Sequence, residues 1–208
     1  MYSITRSYED SYQDRGSKFL GYLNYVANVT DFEEMLTSIK QTYPDATHHC
    51  YAYRTGPEQP EEVANDDGEP GGTAGQPILN ELKSNDLINV GLVVVRYFGG
   101  TKLGKPGLIN AYRTTARHCI EKAKIVRLKT VRTITITYDY SLQKYIDRLI
   151  HKFDLGIDDQ SYAERVTLHG FAEDTHTSEL KGVLESYQQQ LQDQHLDFSI
   201  NEKTYRTS

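Results

Sequence analysis

Apolar residues recur in two kinds of pattern along the first half of the chain. Ser17–Val26 carries apolar side chains on both alternating sets of positions, which predicts a strand covered on both faces. Apolar residues then recur at helical spacing after Thr30, the predicted N-cap. His48–Tyr53 and Asn89–Tyr97 have strand patterns again. This half is therefore predicted to be a mixed α+β domain.

A long polar loop and two more helices complete this half. Thr55–Gly72 is rich in Gly, Pro, Asp and Glu and is expected to be a loop. Gly75–Leu82 has helical spacing, with a capping box predicted over Thr73–Gln76. A Gly-rich turn, Phe98–Gly107, leads into a last helix from about Leu108 to Lys124.

The second half has its own order of elements. Val131–Tyr138 alternates with period two, a strand pattern. A helix, two strands with a turn near Asp158–Ser161, a second helix and a strand at His195–Ile200 follow. This βαββαβ order is that of the split βαβ, ferredoxin-like arrangement. The chain is therefore predicted to form two domains, 1–128 and 129–208.

Composition excludes several classes of protein. Cys50 and Cys119 are the only cysteines, which excludes a disulfide scaffold and a cysteine-based zinc site. The apolar run Val90–Val95 is too short to span a bilayer, and Met1 is followed by no secretory signal. We expect a cytoplasmic protein that does not associate with membranes.

Charge is unevenly distributed along the chain, whose net charge is −6. Glu58–Glu69 holds six acidic residues and no basic one, whereas Arg96–Lys129 holds nine basic residues and one acidic residue. Residues 131–208 hold 13 acidic and 8 basic residues. An acidic protein with one concentrated basic segment can still present an anion-binding face.

The Gly-rich turn is the strongest local motif. Gly99–Lys105 fits the phosphate-loop pattern G-x-x-x-x-G-K, but Pro106 stands where that loop needs a magnesium-binding hydroxyl, which argues against a nucleotide hydrolase. Two interpretations stay open: an anion site with nearby basic side chains, or a turn that needs glycine only for positive φ angles. The candidate anion or nucleic-acid site comprises Arg96, Gly99, Gly100, Thr101, Lys102, Gly104, Lys105, Arg113 and Arg117.

No catalytic, metal or cofactor site emerges from the remaining chemistry. His48 and His49 precede an acidic loop, but neighbouring side chains on a strand point to opposite faces and cannot share one metal ion. Cys50 could pair only with His48, and the sequence shows no third group to orient them.

Several segments together resemble the signature motifs of the IMPACT family. They are RGSKF (Arg15–Phe19), HHCYAYR (His48–Arg54), DDGEPGGTAGQPIL (Asp66–Leu79), VVVRYFGGTKLG (Val93–Gly104) and GLINAY (Gly107–Tyr112). Family members usually have Gly-Ala-Gly-Gly where this chain has Gly104-Lys105-Pro106-Gly107. The signature loop comprises Asp66, Asp67, Gly68, Glu69, Pro70, Thr73 and Gly75, with His48, His49 and Lys18 as supporting residues.

The resemblance implies both a fold and a role. It implies a first domain of the type found as domain two of ribosomal small-subunit protein five. The second domain would resemble the fifth domain of elongation factor G. Eukaryotic members regulate translation initiation under stress, which implies a non-enzymatic regulatory protein whose partner is the ribosome, RNA or a translation-associated protein. The alternative is a small-molecule enzyme, a hydrolase or a phosphate-ligand enzyme, that uses the acidic loop and the Gly-rich turn.

Two spatial predictions follow for the first domain. Arg96 ends a buried strand and should pair with Asp67 or Glu69 of the acidic loop. The exposed bases of the turn and of the helix after it should form a continuous stripe that binds phosphates. They are Lys102, Lys105, Arg113, Arg117 and Lys124.

Overall fold

The described chain forms two compact units of mixed α/β structure, Met1–Leu128 and Lys129–Arg206. The structure is a computed structural model that describes residues 1–191 and 194–207. The strands are β1 (Tyr2–Ile4), β2 (Tyr8–Asp14), β3 (Ser17–Tyr25), β4 (His48–Thr55), β5 (Glu61–Asn65), β6 (Val90–Tyr97), β7 (Ile125–Tyr138), β8 (Gly156–Tyr162), β9 (Val166–Glu173) and β10 (Leu196–Thr207). The α-helices are α1 (Val29–Thr42), α2 (Gly75–Ser84), α3 (Gly104–Lys122), α4 (Gln143–Phe153) and α5 (Asp174–Gln190).

The first unit is built on an antiparallel sheet of order β2-β3-β6-β4-β5. Helix α1 packs on one face, where Phe32 and Met35 meet Val93 and Val95 of the central strand. Helices α2 and α3 pack on the other face, against the alternate residues of β6. Strand β6 is buried from Val90 to Arg96 because helices cover both of its faces.

A short strand pair completes the first unit. Strand β1 pairs antiparallel with the first residues of β7, with Tyr2 opposite Arg127 and Ile4 opposite Ile125. The Tyr2 backbone N–H also donates to the Asp86 carbonyl oxygen at 3.0 Å, just after α2.

The second unit has the predicted βαββαβ order, formed by β7, α4, β8, β9, α5 and β10. Its sheet has the order β10-β7-β9-β8, the arrangement of a split βαβ fold. Helices α4 and α5 bury Ile146 and Leu180 in the core that contains Ile134 and Ile136 of β7. The hairpin turn lies at residues 163–165, not at Asp158–Ser161, because β8 continues to Tyr162.

The segment Thr55–Gly72 was predicted to be a loop throughout, but it contains strand β5 on the edge of the sheet. Side chains of β4 donate hydrogen bonds to its carboxylates: the Tyr53 hydroxyl donates to Glu61 at 2.9 Å, and Arg54 Nε donates to its cross-strand partner Glu62 at 2.9 Å. Charged side chains are common on edge strands, where they discourage pairing with other chains.

Two helices begin earlier than predicted. Helix α1 is capped by Asn28, not Thr30, because Asn28 Oδ1 accepts the Asp31 N–H at 3.0 Å. Helix α3 begins at Gly104 instead of Leu108 and so includes Pro106 in its first turn. Proline is tolerated there because the first N–H groups of a helix have no partner within the helix, so the missing N–H of proline costs no hydrogen bond. In the described part of the chain, no helix combines the length and the apolar character needed to cross a bilayer.

Candidate functional site

Arg96 lies at the end of the central strand of the first unit, on the face covered by α2 and α3. The antiparallel register places Phe19 of β3 and His48 of β4 directly beside it. Only 5% of Arg96 is exposed, so its charge needs a partner within the fold.

Glu69 supplies that partner. The Arg96 guanidinium forms an ion pair with Glu69 Oε1, and the two side chains are 6% and 4% exposed. The Tyr112 hydroxyl of α3 donates to the same carboxylate oxygen at 2.8 Å, and Arg96 Nη2 lies 3.4 Å from Ser17 Oγ. The predicted contact between Arg96 and the acidic loop is therefore confirmed, with Glu69 as the partner.

His48 and Cys50 border this ion pair on the same face of β4. His48 Nδ1 lies 2.7 Å from the Asp67 carbonyl oxygen, which can only accept, so this nitrogen carries the proton. His48 Nε2 lies 3.9 Å from Glu69 Oε1. The Cys50 thiol lies 3.2 Å from the Tyr112 hydroxyl oxygen, and burial raises the pKa of this thiol well above its usual range. Cys50 is therefore held as a thiol and is poorly suited to act as a nucleophile.

His49 points to the opposite face, as predicted for neighbouring residues of a strand. Its Nε2 lies 3.1 Å from the Tyr43 carbonyl oxygen, and its backbone N–H donates to Asp67 Oδ2 at 2.6 Å. Among residues 1–191 and 194–207, no three His, Cys, Asp or Glu side chains are grouped so that they could hold a metal ion.

Asp66 caps helix α2, so the capping box predicted over Thr73–Gln76 is wrong. Asp66 Oδ1 accepts the N–H groups of Ala74 and Gly75, both at 2.9 Å, and Oδ2 accepts the Gly72 N–H at 2.8 Å. The hydroxyl of Thr73 instead donates to the Pro70 carbonyl oxygen at 2.6 Å. A side chain eight residues before the N-cap Ala74 thus satisfies N–H groups that have no partner within the helix.

The rest of the signature loop is held closely against the fold. Asp67 and Gly68 form its bend, with φ angles of 42° and 86°. A Cβ on Gly75 would lie 2.4 Å from the Asn65 backbone nitrogen, so the loop must carry glycine there. Since Asp66, Asp67 and Glu69 all bind groups of the protein itself, their main role in this structure is to hold the loop in place.

The Gly-rich turn packs at its base and is open at its tip. A Cβ on Gly99 would lie 1.9 Å from the Gly16 carbonyl carbon, so two backbones meet there at a distance that only glycine permits. Gly100 has a φ of 85° and open space where a Cβ would be. Thr101 and Lys102 are exposed.

The basic residues of the predicted stripe differ in their surroundings. Arg113 Nε and Arg117 Nη2 lie 3.8 and 3.5 Å from Glu81 Oε1 of α2, so these two bases share one carboxylate. Lys102 and Lys105 are exposed, and neither forms an ion pair with another described residue. Gly104 and Lys105 belong to the first turn of α3 and not to the turn before it. The continuity of the stripe stays a prediction.

Lys18 lies away from the ion pair. It lines a separate cavity of about 420 Å³ with Asp10 and Lys122, whereas its neighbour Phe19 points toward Arg96. Lys18 is therefore not part of the Arg96–Glu69 cluster.

Three side chains of this region were not predicted as site residues. Tyr112 and Ser17 bind the ion pair, and Phe98 lies over the Arg96 guanidinium, with its ring centroid 5.6 Å from Cζ. The signal that could have found all three is their position inside the family motifs.

Comparisons with known proteins cover both units. Residues 15–120 match the Impact N-terminal domain. The chain is 35% identical to the IMPACT family member YvyE of Bacillus subtilis (strain 168), over 78% of this chain and 75% of that one. It is 32% identical to the IMPACT family member YigZ of Escherichia coli (strain K12), over 73% and 76%. A crystal structure described as that of a hypothetical protein covers 94% of this chain and 95% of its own, with a TM-score of 0.67 and 26% identity.

Proposed function

This chain belongs to the IMPACT family, and on that premise we propose that it is a non-enzymatic binding protein linked to translation. Its first unit binds phosphates of RNA or of the ribosome through the basic residues around the Gly-rich turn. Support for the link to translation comes from the family, whose eukaryotic members the resemblance associates with control of translation initiation. The two domain types that the resemblance implies also recur in proteins of the translation machinery, which is support by analogy.

The observation that carries the proposal is the pair of lysines, Lys102 and Lys105, which form no ion pair with another described residue. Both are exposed beside α3, whose first turn contains no acidic residue and whose N-cap, Leu103, makes no side-chain hydrogen bond. The positive end of the helix and the two lysines therefore favour an anion at the same place.

The geometry gives less support to an enzyme that uses the acidic loop. Asp66 caps α2 and Glu69 neutralises Arg96, so neither carboxylate is free to act on a substrate. Burial raises the pKa of the Cys50 thiol well above its usual range, which favours the protonated form. We therefore do not retain the enzyme hypothesis.

The test is a titration of the full chain with single-stranded RNA at several salt concentrations. Affinity should fall steeply with salt, because each neutralised phosphate releases condensed counterions. Lys102→Glu combined with Lys105→Glu should reduce the slope of log K against log salt by about 1.4, from two lost single-strand phosphate contacts. Arg113 is a poorer choice, since a glutamate there would face Glu81.

Lys40→Glu combined with Lys144→Glu is the matched control. Both lysines are exposed on helices α1 and α4, and the double change alters the net charge equally. The control should bind RNA nearly as well as the wild type. If both double variants bind as the wild type does, with weak salt dependence, then the phosphate-binding proposal fails and a protein partner becomes the better explanation.

A further inference from the structure

Phe98 is an exposed aromatic residue in the middle of the family motif. It is 47% exposed, whereas the other five of the six phenylalanines are buried or half-buried. A single exposed apolar side chain is common on protein surfaces, so what distinguishes Phe98 is the contacts and the charged residues around its ring.

The ring of Phe98 is held in a fixed place. Its backbone N–H donates to Thr47 Oγ1 at 3.1 Å, and the Arg96 guanidinium lies over the ring at 5.6 Å. Arg96 is itself fixed by Glu69 and lies 5.4 Å from the Phe19 ring. The ring of Phe98 is therefore supported from the protein side by a cation–π contact, while about half of the residue faces solvent.

Two lysines follow Phe98 within a few residues of the sequence. Gly99 and Gly100 separate Phe98 from Thr101 and Lys102, and Gly100 leaves open space where a side chain would be. Lys105 follows in the first turn of α3. These features match the pattern of a base and its flanking phosphates: a ring with one free face, an open turn, and two lysines that pair with none of residues 1–191 and 194–207.

We infer that Phe98 is a base-stacking platform, and that the turn binds single-stranded nucleic acid with one unpaired base on this ring and its phosphates near Lys102 and Lys105. This inference rests on the proposed function and specifies its ligand. A duplex does not suit the site, because paired bases offer no free face for stacking. Stacking on an aromatic side chain tolerates any base, so little sequence preference is expected.

The absence of tryptophan from the chain makes a direct test possible. In full-length Phe98→Trp the new indole is the only tryptophan, and stacking of a base should quench its fluorescence. We expect quenching by a single-stranded RNA oligonucleotide, and little by an abasic strand of equal length or by a duplex. Phe98→Ala should bind the single strand about tenfold more weakly than the wild type.

Tyr25→Trp is the matched control for fluorescence. Tyr25 is 42% exposed and lies at the end of β3 that is remote from Phe98, since it pairs with Val90 at the start of β6. The indole of Tyr25→Trp should therefore not respond to RNA. The thermal midpoint of each variant shows whether the fold is retained, and Phe98→Leu serves as a second variant if Phe98→Ala is unstable.

The possible failures are distinct. Salt-dependent binding that is equal for wild type and Phe98→Ala, and equal for normal and abasic strands, would overturn the stacking inference and leave the phosphate-binding function standing. Absence of binding to every RNA would overturn both and leave Phe98 as a contact for a protein partner.

Discussion

At the scale of single residues, the buried pair Arg96–Glu69 is the centre of the candidate site. The register of three strands and the loop from Asp66 bring its members together, and Tyr112 adds a second hydrogen bond to the same carboxylate oxygen. Burying two charges is costly in free energy, and buried Arg96 Nε has no hydrogen-bond partner among the described residues, so the pair positions the loop more than it adds net stability. The pair therefore ties the signature loop to the centre of the sheet.

Glu69→Gln should destabilise the first unit strongly, because it leaves the Arg96 charge buried without a counter-charge. We expect the free energy of unfolding to fall by about 3–5 kcal/mol, measured by chemical denaturation. The double variant Arg96→Met with Glu69→Met should lose less free energy of unfolding than the sum of the losses in the single variants Arg96→Met and Glu69→Met. Lys122→Gln, which removes an exposed ion pair with Asp10, is the control and should cost less than about 1 kcal/mol. If Glu69→Gln and Lys122→Gln lose equal free energy of unfolding, then burial does not set the cost of breaking an ion pair in this protein.

At the scale of elements, the start of helix α2 is capped by the carboxylate of Asp66, which accepts the Ala74 and Gly75 N–H groups. Its own N-cap, Ala74, offers no side-chain acceptor. Asp66→Ala should therefore lower the free energy of unfolding by about 1–3 kcal/mol and reduce the hydrogen-exchange protection of the Ala74 and Gly75 amides. Thr73→Val, which tests the capping box expected from the sequence, should cost less than about 1 kcal/mol. A larger loss for Thr73→Val than for Asp66→Ala would overturn this assignment.

Strand β5 is joined to its neighbours by Glu62, which gives it a defined pH dependence. Lys83 Nζ lies 2.6 Å from Glu62 Oε2, and this hydrogen bond, assisted by Arg54, holds the pKa of the carboxyl below its usual value of 4.5. A carboxyl whose pKa is lower in the folded state than in the unfolded state adds stability above its unfolded pKa. That stability is lost as the pH falls through the folded pKa.

The wild type should therefore be more stable than Glu62→Gln at neutral pH, by an amount that stays constant down to about pH 5 and shrinks below it. Thermal midpoints of both proteins across this pH range provide the measurement. A difference in thermal midpoint that grows toward acid pH would show that the pKa of Glu62 is not lowered in the folded state.

At the scale of the whole molecule, the chain consists of two units with separate cores. Strand β7 contributes Ile125–Arg127 to the strand pair of the first unit and Val131–Tyr138 to the sheet of the second. A cut after residue 128 therefore leaves both sets of pairs intact.

Residues 129–208 expressed alone should unfold in one cooperative thermal transition, because this fragment retains its own core. With 13 acidic and 8 basic residues in 131–208, the fragment should also bind RNA negligibly, whereas residues 1–128 should retain the salt-dependent binding. A fragment 129–208 that melts gradually would show that the cut passes through a shared core.

Much of the fold was predictable because apolar periodicity is a local property of the chain. The βαββαβ order of the second unit, the buried strand β6 and the partnership of Arg96 with the acidic loop all follow from spacing and charge. Strand β5 was missed because an edge strand rich in glutamate has no apolar pattern. Its Glu62 side chain binds Arg54 of β4 and Lys83 of α2, which lie eight and 21 residues away in the sequence.

The sequence alone therefore determined the order of elements in the second unit, the buried faces and the family, since each is encoded by residues close together in the chain. Only the tertiary structure decided which polar groups meet. Asp66 and not Thr73 caps α2, Tyr112 joins the ion pair, Glu81 lies close to two of the predicted binding arginines, and Phe98 rests on Arg96. The physical reason is that hydrogen bonds and ion pairs depend on distances of a few ångströms between groups that are remote in sequence, and those distances exist only once the sheet and its helices have packed.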